Sequence, residues 1–140
     1  MNKFVDFDKI NYVAATFPVN SATQTYLKTN HTNPQTGNVD INGKKLAVKL
    51  DAKGEVGFGA STPTTGDELL GIIMAYEMDG FATVQIAGGI DNVPTKEAIT
   101  GGQKLLAVND KGQIEVATNG RATPVVKPSA SENLFASIVL

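Results

Sequence analysis

The chain has no cysteine and no tryptophan, and only 6% of its residues are aromatic. Without cysteine, the fold cannot depend on disulfide bonds or on a thiolate metal site, and a cysteine nucleophile is excluded. Since aromatic side chains are scarce, the core has to be built mainly from valine, isoleucine, leucine and alanine. We therefore expect stability to come from aliphatic burial and from association with other molecules.

The chain also lacks any continuous apolar run close to the roughly 20 residues that a membrane helix needs. Its first residues, Met1–Asp8, carry acidic groups and no apolar stretch of the secretory type. The 12 basic residues are spread along a chain of formal net charge −2, so no segment is poised to neutralise phosphates. These absences predict a water-soluble protein made in a cytoplasm, with neither a membrane nor a nucleic acid as partner.

Candidate catalytic or ligand-binding groups are few and isolated in the sequence. The only histidine, His31, has no cysteine or second histidine to complete a metal site or a nucleophile pair. Asp6 and Asp8 are spaced to share one face of a strand, where we interpret them as a solvated acidic edge. Gly88-Gly89 and Gly101-Gly102 lack the spacing of phosphate-binding loops and are interpreted as turn glycines. We therefore predict no catalytic, cofactor-binding or metal site, and no enzymatic activity.

Residues 1–44 differ in composition from the rest of the chain. Asn, Thr, Gln and Ser dominate from Asn20 to Asn42, and residues 29–38 combine Pro, Gly and several Asn. This composition favours turns and an irregular path over repeating structure. We predict an extended, partly irregular N-terminal arm over residues 1–44 and a single β-rich domain over residues 45–140.

From residue 45 the pattern changes to the alternation of a half-buried strand. Leu46, Val48 and Leu50 are predicted to face one side of the strand, and the residues between them the other side. Asp51–Gly54 then forms a turn, and Glu55–Phe58 is the returning strand of a hairpin.

Residues 67–78 are ambiguous, because several of their apolar side chains recur at helical intervals as well. We favour a strand, since Gly71 disfavours a helix by about 1 kcal/mol relative to Ala. The segment also runs directly into Asp79-Gly80, a strong hairpin signal. Phe81–Ala87 alternates cleanly and is predicted to be the partner strand.

The remaining elements follow from alternation and from turn residues. Ile90–Pro94 is predicted to lie at a sheet edge, because Pro94 cannot donate to a strand ladder. Thr95–Thr100 is predicted to form a brief helical turn. Further strands are predicted at Lys104–Val108, Gln113–Ala117, Ala122–Val126 and Leu134–Leu140, the last as a buried, paired strand.

Two of the predicted hairpins resemble each other. Lys45–Val48 followed by Asp51–Val56 is similar to Leu106–Val108 followed by Asp110–Gly112 and Ile114. Either a hairpin has been duplicated, or the same turn chemistry has arisen twice between strands rich in valine. The whole pattern predicts an all-β fold, a small β-barrel or β-sandwich.

The order of strands and turns from Gly66 to Leu140 carries a family resemblance. Glu77–Gly89, Ala98–Leu105, Asp110–Ala117 and the closing Ile138–Leu140 together resemble the capsid decoration (cement) proteins of tailed bacteriophages. The resemblance covers roughly the last half of the chain. It implies a β-tulip-like module on the exterior of a virion, bound to the outer surface of an icosahedral capsid, where it reinforces contacts between capsomers.

The same resemblance implies the major capsid protein as partner and a homo-oligomer, either a trimer or a dimer. Two other functions stay open at this point. The first is another virion binding module, such as a head fibre base or a tail adaptor. The second is a carbohydrate-acting enzyme whose site consists of carboxylates and hydroxyls alone.

Overall fold

The computed structural model describes residues 12–41, 44–77 and 79–140. They form two five-stranded antiparallel sheets and, within these ranges, one α-helix, in agreement with the predicted all-β fold. The helix α1 is Ser21–Asn30, and the strands in chain order are β1 (Val13–Pro18), β2 (Ala47–Leu50), β3 (Val56–Gly57), β4 (Gly71–Tyr76), β5 (Phe81–Ala87), β6 (Gly89–Pro94), β7 (Gly102–Val108), β8 (Ile114–Val116), β9 (Arg121–Lys127) and β10 (Phe135–Val139).

The first sheet has the strand order β1-β5-β4-β2-β3. Its β4–β5 hairpin confirms that the segment predicted at residues 67–78 contains a strand and not a helix, over Gly71–Tyr76, with Ile73 paired to Val84 across the two strands. At the turn, the Glu77 N–H donates to the Phe81 carbonyl at 2.7 Å, and Gly80 has a φ of 88°. Glycine adopts that left-handed conformation without a Cβ clash, which explains the Asp-Gly signal in the sequence.

The second sheet has the order β6-β10-β9-β7-β8, so the strand ending at Pro94 lies at a sheet edge as predicted. Strand β10 pairs with both β6 and β9, which confirms the burial predicted for the C-terminal apolar run. The helical turn predicted at Thr95–Thr100 is wrong. Thr95 instead bridges to Ile114, and the Lys96 N–H donates to the Ile114 carbonyl at 3.0 Å. This contact with β8 holds the chain extended.

The two sheets repeat one topology. In each, the first strand pairs with the fifth, the fifth with the fourth, the fourth with the second and the second with the third. Each sheet also curls until its two outer strands meet at a parallel bridge. Val19, directly after β1, bridges to Val56 on β3, and Thr95, directly after β6, bridges to Ile114 on β8. We call β1–β5 the first unit and β6–β10 the second unit.

The repeat extends to the hydrogen bonds of the hairpin turns. In the β2–β3 turn, Asp51 Oδ1 accepts from the backbone N–H groups two and four residues further on, at 2.9 and 3.0 Å. In the β7–β8 turn, Asn109 Oδ1 accepts the same two bonds at 2.9 and 3.0 Å. Gly54 and Gly112 then take φ values of 78° and 75°. Since the strand order repeats as well as the turn, the structure favours a duplicated unit over convergent turn chemistry.

Each unit contains its own cluster of buried apolar side chains, but the clusters are not independent. The first includes Val48, Val56 and Ile73. The second is built mostly from β6–β10, yet it also contains Ala47, Leu69 and Ile72 of the first unit. Main-chain hydrogen bonds run between the units as well, for example from Val108 N–H to Asp67 O at 2.9 Å and from Leu69 N–H to Leu106 O at 3.1 Å. The units therefore share a core.

Strand β2 lies between the two clusters. Leu46 and Val48 face the first cluster as predicted, while Ala47 points the other way and is fully buried by the second unit. Leu50, which was predicted to be buried with Val48, is 43% exposed. Leu50 belongs to neither buried cluster and lies partly exposed on the β2–β3 hairpin.

Residues 12–41 do not form the predicted arm. Strand β1 is part of the first sheet, and α1 packs on that unit through Thr23 and Leu27, both buried. Asn20 caps the helix by accepting a 2.9 Å hydrogen bond from Thr23 N–H. Gly57 gives this cap room, because a Cβ there would lie 2.0 Å from Asn20 Nδ2. In the described part of the chain, no helix is long and apolar enough to span a membrane.

Candidate functional site

Comparing the two units shows where the first one carries additional structure. Between β1 and β2 it has residues 19–46, which include α1, whereas the second unit joins β6 to β7 by residues 95–101 alone. The repeat shows that five strands need only the short connection. We call the described part of this connection, residues 19–41 and 44–46, the helical segment. It lies against the second unit and forms with it a groove of about 350 Å³, a size typical of ligand pockets.

One wall of the groove is the ring of Tyr26 on α1. The Tyr26 ring packs edge-on against Phe58, with centroids 5.2 Å apart, and lies 6.0 Å from the His31 ring. Phe58 in turn covers Gly112, where a Cβ would come within 2.7 Å of the Phe58 ring. Burial, and then the charge of Asp110, raise the pKa of Tyr26, so its hydroxyl stays protonated. This wall is rigid and apolar, with a polar tip.

Lysines supply the charge of the groove. Lys44 and Lys45 come from the end of the helical segment, and Lys111 comes from the β7–β8 turn. Lys45 Nζ donates to the Asp91 carbonyl at 2.6 Å, which fixes this side chain across the groove onto β6. The ion pairs found among the described residues, Lys49–Asp67 and Lys96–Glu115, involve none of the three. The groove is therefore cationic on a chain whose formal net charge is −2.

The opposite wall comes from the second unit. Phe135, at the start of β10, lines the groove and is 46% exposed. Asn92, on β6, has a φ of 55° and is the one non-glycine residue of the described chain with a positive φ. Backbone strain of this kind concentrates at binding sites, and Asn tolerates it better than most residues. A groove with two aromatic walls and three lysines that form no ion pair among the described residues can bind a carboxylate-bearing chain that also carries an apolar side chain.

Of the candidate site residues named from the sequence, His31 and the two glycine pairs serve structural roles. His31 caps α1, donating its N–H to Leu27 O at 2.8 Å, and burial together with Lys44 lowers the pKa of its imidazole. Gly88 lies at the bend before β6 and exchanges two backbone hydrogen bonds with Leu140, and Gly102 opens β7 with a φ of 107°, so each glycine pair consists of a bend residue and the first residue of a strand. Asp6 and Asp8 lie outside the described residues. Within those residues, no group of three or more His, Asp or Glu side chains is placed to share a metal ion.

Glu115 is an unusual buried acid on β8. Its Oε2 has no hydrogen-bond partner in the described chain and lies 3.7 Å from Lys96 Nζ. Burial raises the pKa of Glu115, and the charge of Lys96 offsets only part of that effect. Glu115 does not line the groove, and the effect expected of it is on stability.

We expect Glu115→Gln to stabilise the protein at pH 7 by about 1 kcal/mol, because it removes a poorly paired buried charge. A carboxyl whose pKa is raised on folding is best tolerated in its protonated form. Its favourable contribution is present below the unfolded pKa and is lost as pH rises through the folded value. The advantage of Glu115→Gln should therefore vanish near pH 4 in thermal unfolding scans. An equal advantage at both pH values would show that charge is not the cause.

No protein-family model matches the chain, and no curated protein matches it significantly.

Sequence reasoning missed the groove. Lys44 and Lys45 are neighbours in the chain, but Lys111 is far from them, and only the packing of the helical segment against the second unit brings the three together. Their one visible signal is the position of Lys111 in a turn that resembles the β2–β3 turn. The sequence alone does not show that this turn borders a helix.

Proposed function

We propose that this chain is a structural virion protein that binds the outer surface of an icosahedral phage capsid and reinforces contacts between capsomers. The resemblance of strands and turns from Gly66 to Leu140 to capsid decoration proteins suggests this function. The observation that carries it is the groove between the helical segment and the second unit. It is a built binding surface, whereas the buried acids of the described chain form ion pairs within the fold.

The chemistry of the groove suits attachment to a protein surface. Its exposed Phe135 and its Tyr26 provide rigid aromatic area, which is common at the centre of protein interfaces. Lysines at the rim favour an acidic partner and increase the rate of encounter. In this proposal, an acidic segment of the major capsid protein occupies the groove.

The function is tested with icosahedral shells that are assembled from a tailed-phage major capsid protein and lack this chain. The purified chain is mixed with the shells and pelleted, and the bound fraction is measured against concentration. We expect saturable binding at many symmetry-related positions, visible as added density in a cryo-EM map. Failure to pellet with shells at any accessible concentration, or density confined to one vertex, would overturn the proposal.

A triple variant, Lys44→Gln with Lys45→Gln and Lys111→Gln, tests the groove itself. Each exposed charge contact at an interface contributes roughly 0.5–1 kcal/mol, so we expect capsid binding to weaken at least about tenfold. The matched control replaces three exposed lysines outside the groove: Lys28, Lys53 and Lys127. Lys53 is informative, because it holds the same place in the β2–β3 turn as Lys111 holds in the β7–β8 turn. Equal weakening by both triple variants would show that the groove is not the attachment site.

A further inference from the structure

The contact between the two units uses one face of the first sheet. Ala47 on β2 pairs with Ile72 on β4, and both side chains point away from the first cluster. Both are fully buried, because they pack in the core of the second unit. This outward pair is therefore the surface by which the first unit docks on the second.

The repeat identifies the same pair in the second unit. The two units can be aligned by their strand pairing. In the first unit, Val48 pairs with Gly71, and the adjacent pair is Ala47–Ile72. In the second unit, the corresponding pair is Leu106–Arg121, and the adjacent pair is Leu105–Ala122. Leu105 and Ala122 are thus the counterparts of Ala47 and Ile72. In the second unit the pair is uncovered, with Leu105 41% exposed.

The uncovered surface continues along β9. Alternation places Pro124 and Val126 on the same side as Ala122, and all three are exposed, while Thr123 and Val125 between them are buried. We call Leu105, Ala122, Pro124 and Val126 the outer face. A sheet face in water is normally polar, so an outward row without a single charge marks an interface.

The repeat also identifies the surface that this outer face fits. The first unit docks on the end of the β7–β8 hairpin, where Val108 is fully buried and its N–H donates to Asp67 O. Val108 pairs with Ile114, and Leu50 pairs with Val56 in the same position of the β2–β3 hairpin. Leu50 is therefore the counterpart of Val108, and it is the uncovered one.

We infer that the protein associates with further copies of itself head to tail, with the outer face of one copy packed on the β2–β3 hairpin end around Leu50 of the next. The contact between copies then repeats the side-chain part of the contact between the units within one chain. Two different surfaces meet in such a contact, so it closes into a ring when the rotation allows. This inference concerns copies of this chain alone and does not depend on capsid binding.

The mass of the protein in solution gives the first test. Light scattering or sedimentation at about 50 μM, a concentration suited to interfaces of micromolar affinity, should report a multiple of 14.7 kDa. A strictly monomeric protein would overturn the inference.

Two single variants then separate head-to-tail contact from a face-to-face dimer. Leu50→Asp and Leu105→Asp each place a charge in one of the two surfaces, and we expect each variant alone to lose at least tenfold in self-affinity. Because each keeps the surface that the other has lost, an equimolar mixture should form a heterodimer of twice the monomer mass. Circular dichroism melting of both variants checks that these exposed substitutions leave the fold intact.

The control is Phe81→Asp, which charges an equally exposed apolar residue on β5 and should leave the assembly unchanged. If Leu105→Asp is monomeric while Leu50→Asp assembles normally, the outer faces meet each other and the head-to-tail inference is wrong. Absence of the mixed heterodimer would also overturn it.

Discussion

Replacing Leu27 with Ala is expected to lower the free energy of unfolding by about 3 kcal/mol, the usual cost of truncating a fully buried leucine. Leu27 has no exposed surface and is the apolar side chain through which α1 enters the first cluster. Within α1 only Thr23 and Leu27 are buried, so Leu27 is the one fully buried apolar side chain of the helix. Since domains of this size are stable by only about 5–15 kcal/mol, the loss is a large fraction of the total.

Urea unfolding followed by circular dichroism measures this loss, with Lys28→Ala as the matched control. Lys28 is the next residue of the same helix and is exposed, so its replacement should change stability by less than about 0.5 kcal/mol. Equal unfolding midpoints for the two variants would mean that the helical segment is an arm after all.

The same logic predicts that deleting residues 1–40 opens the first unit, because Val19 and Leu27 leave its core.

The strands and turns from residue 45 onward could be predicted because their signals are local. Alternation within a strand and glycine at a tight turn do not depend on distant residues. The Asp79-Gly80 hairpin and the edge position of the strand ending at Pro94 were recognised for this reason. The helical turn predicted at Thr95–Thr100 is wrong for the opposite reason. A contact with a distant residue, the bridge from Thr95 to Ile114, determines the conformation there.

The helical segment could not be predicted, because tertiary contacts hold it in place. Thr and Asn are weak helix formers, and Leu27 is the one buried apolar side chain of α1, so no amphipathic stripe appears. In the structure, Phe58 N–H donates to Thr23 Oγ1 at 3.0 Å, and Gln24 Nε2 donates to Val19 O at 2.7 Å. Both bonds tie the helix to strands or to residues adjoining them, and neither leaves a signal in local composition.

The repeat was visible in one hairpin and hidden elsewhere. The turns share an Asp or Asn followed by Lys and Gly, because that side chain must accept the two backbone hydrogen bonds. Elsewhere the units share strand register without sharing identity or burial, as with Ala47 and Leu105. Their different surroundings explain this, since one lies in a tight contact between units and the other at an open surface.

The groove and the outer face are proposed to bind different partners. The groove is charged and suits a specific partner of opposite charge. The outer face is apolar and uncharged, and suits another copy of the same protein. The variants at Lys111 and Leu105 should therefore separate in experiment, since the first affects capsid binding and the second self-association.

Replacing Asp67 with Ala is expected to destabilise the protein by about 3 kcal/mol at pH 7, because it leaves a partly buried lysine and several donors without an acceptor. Asp67 Oδ1 pairs with Lys49 Nζ at 3.0 Å. Its Oδ2 accepts from the N–H groups of Thr64 at 2.9 Å and Ala60 at 3.2 Å. The backbone carbonyl of Asp67 also accepts from Val108 N–H, so the same residue orders the loop before β4 and joins the two units.

The pH dependence of this loss identifies the charge as its source. Burial alone would raise the pKa of Asp67, but the hydrogen bonds from Thr64, Lys49 and Ala60, together with the charge of Lys49, lower it overall. A carboxyl whose pKa falls on folding contributes stability above its unfolded pKa of about 3.9, and that contribution is lost as pH falls through the folded value. The difference between wild type and Asp67→Ala in urea unfolding should therefore shrink from pH 7 to pH 3.

Asp67→Asn keeps one acceptor oxygen without the charge and should fall between the two at pH 7. If the difference is as large at pH 3 as at pH 7, side-chain packing is its cause, not the ion pair.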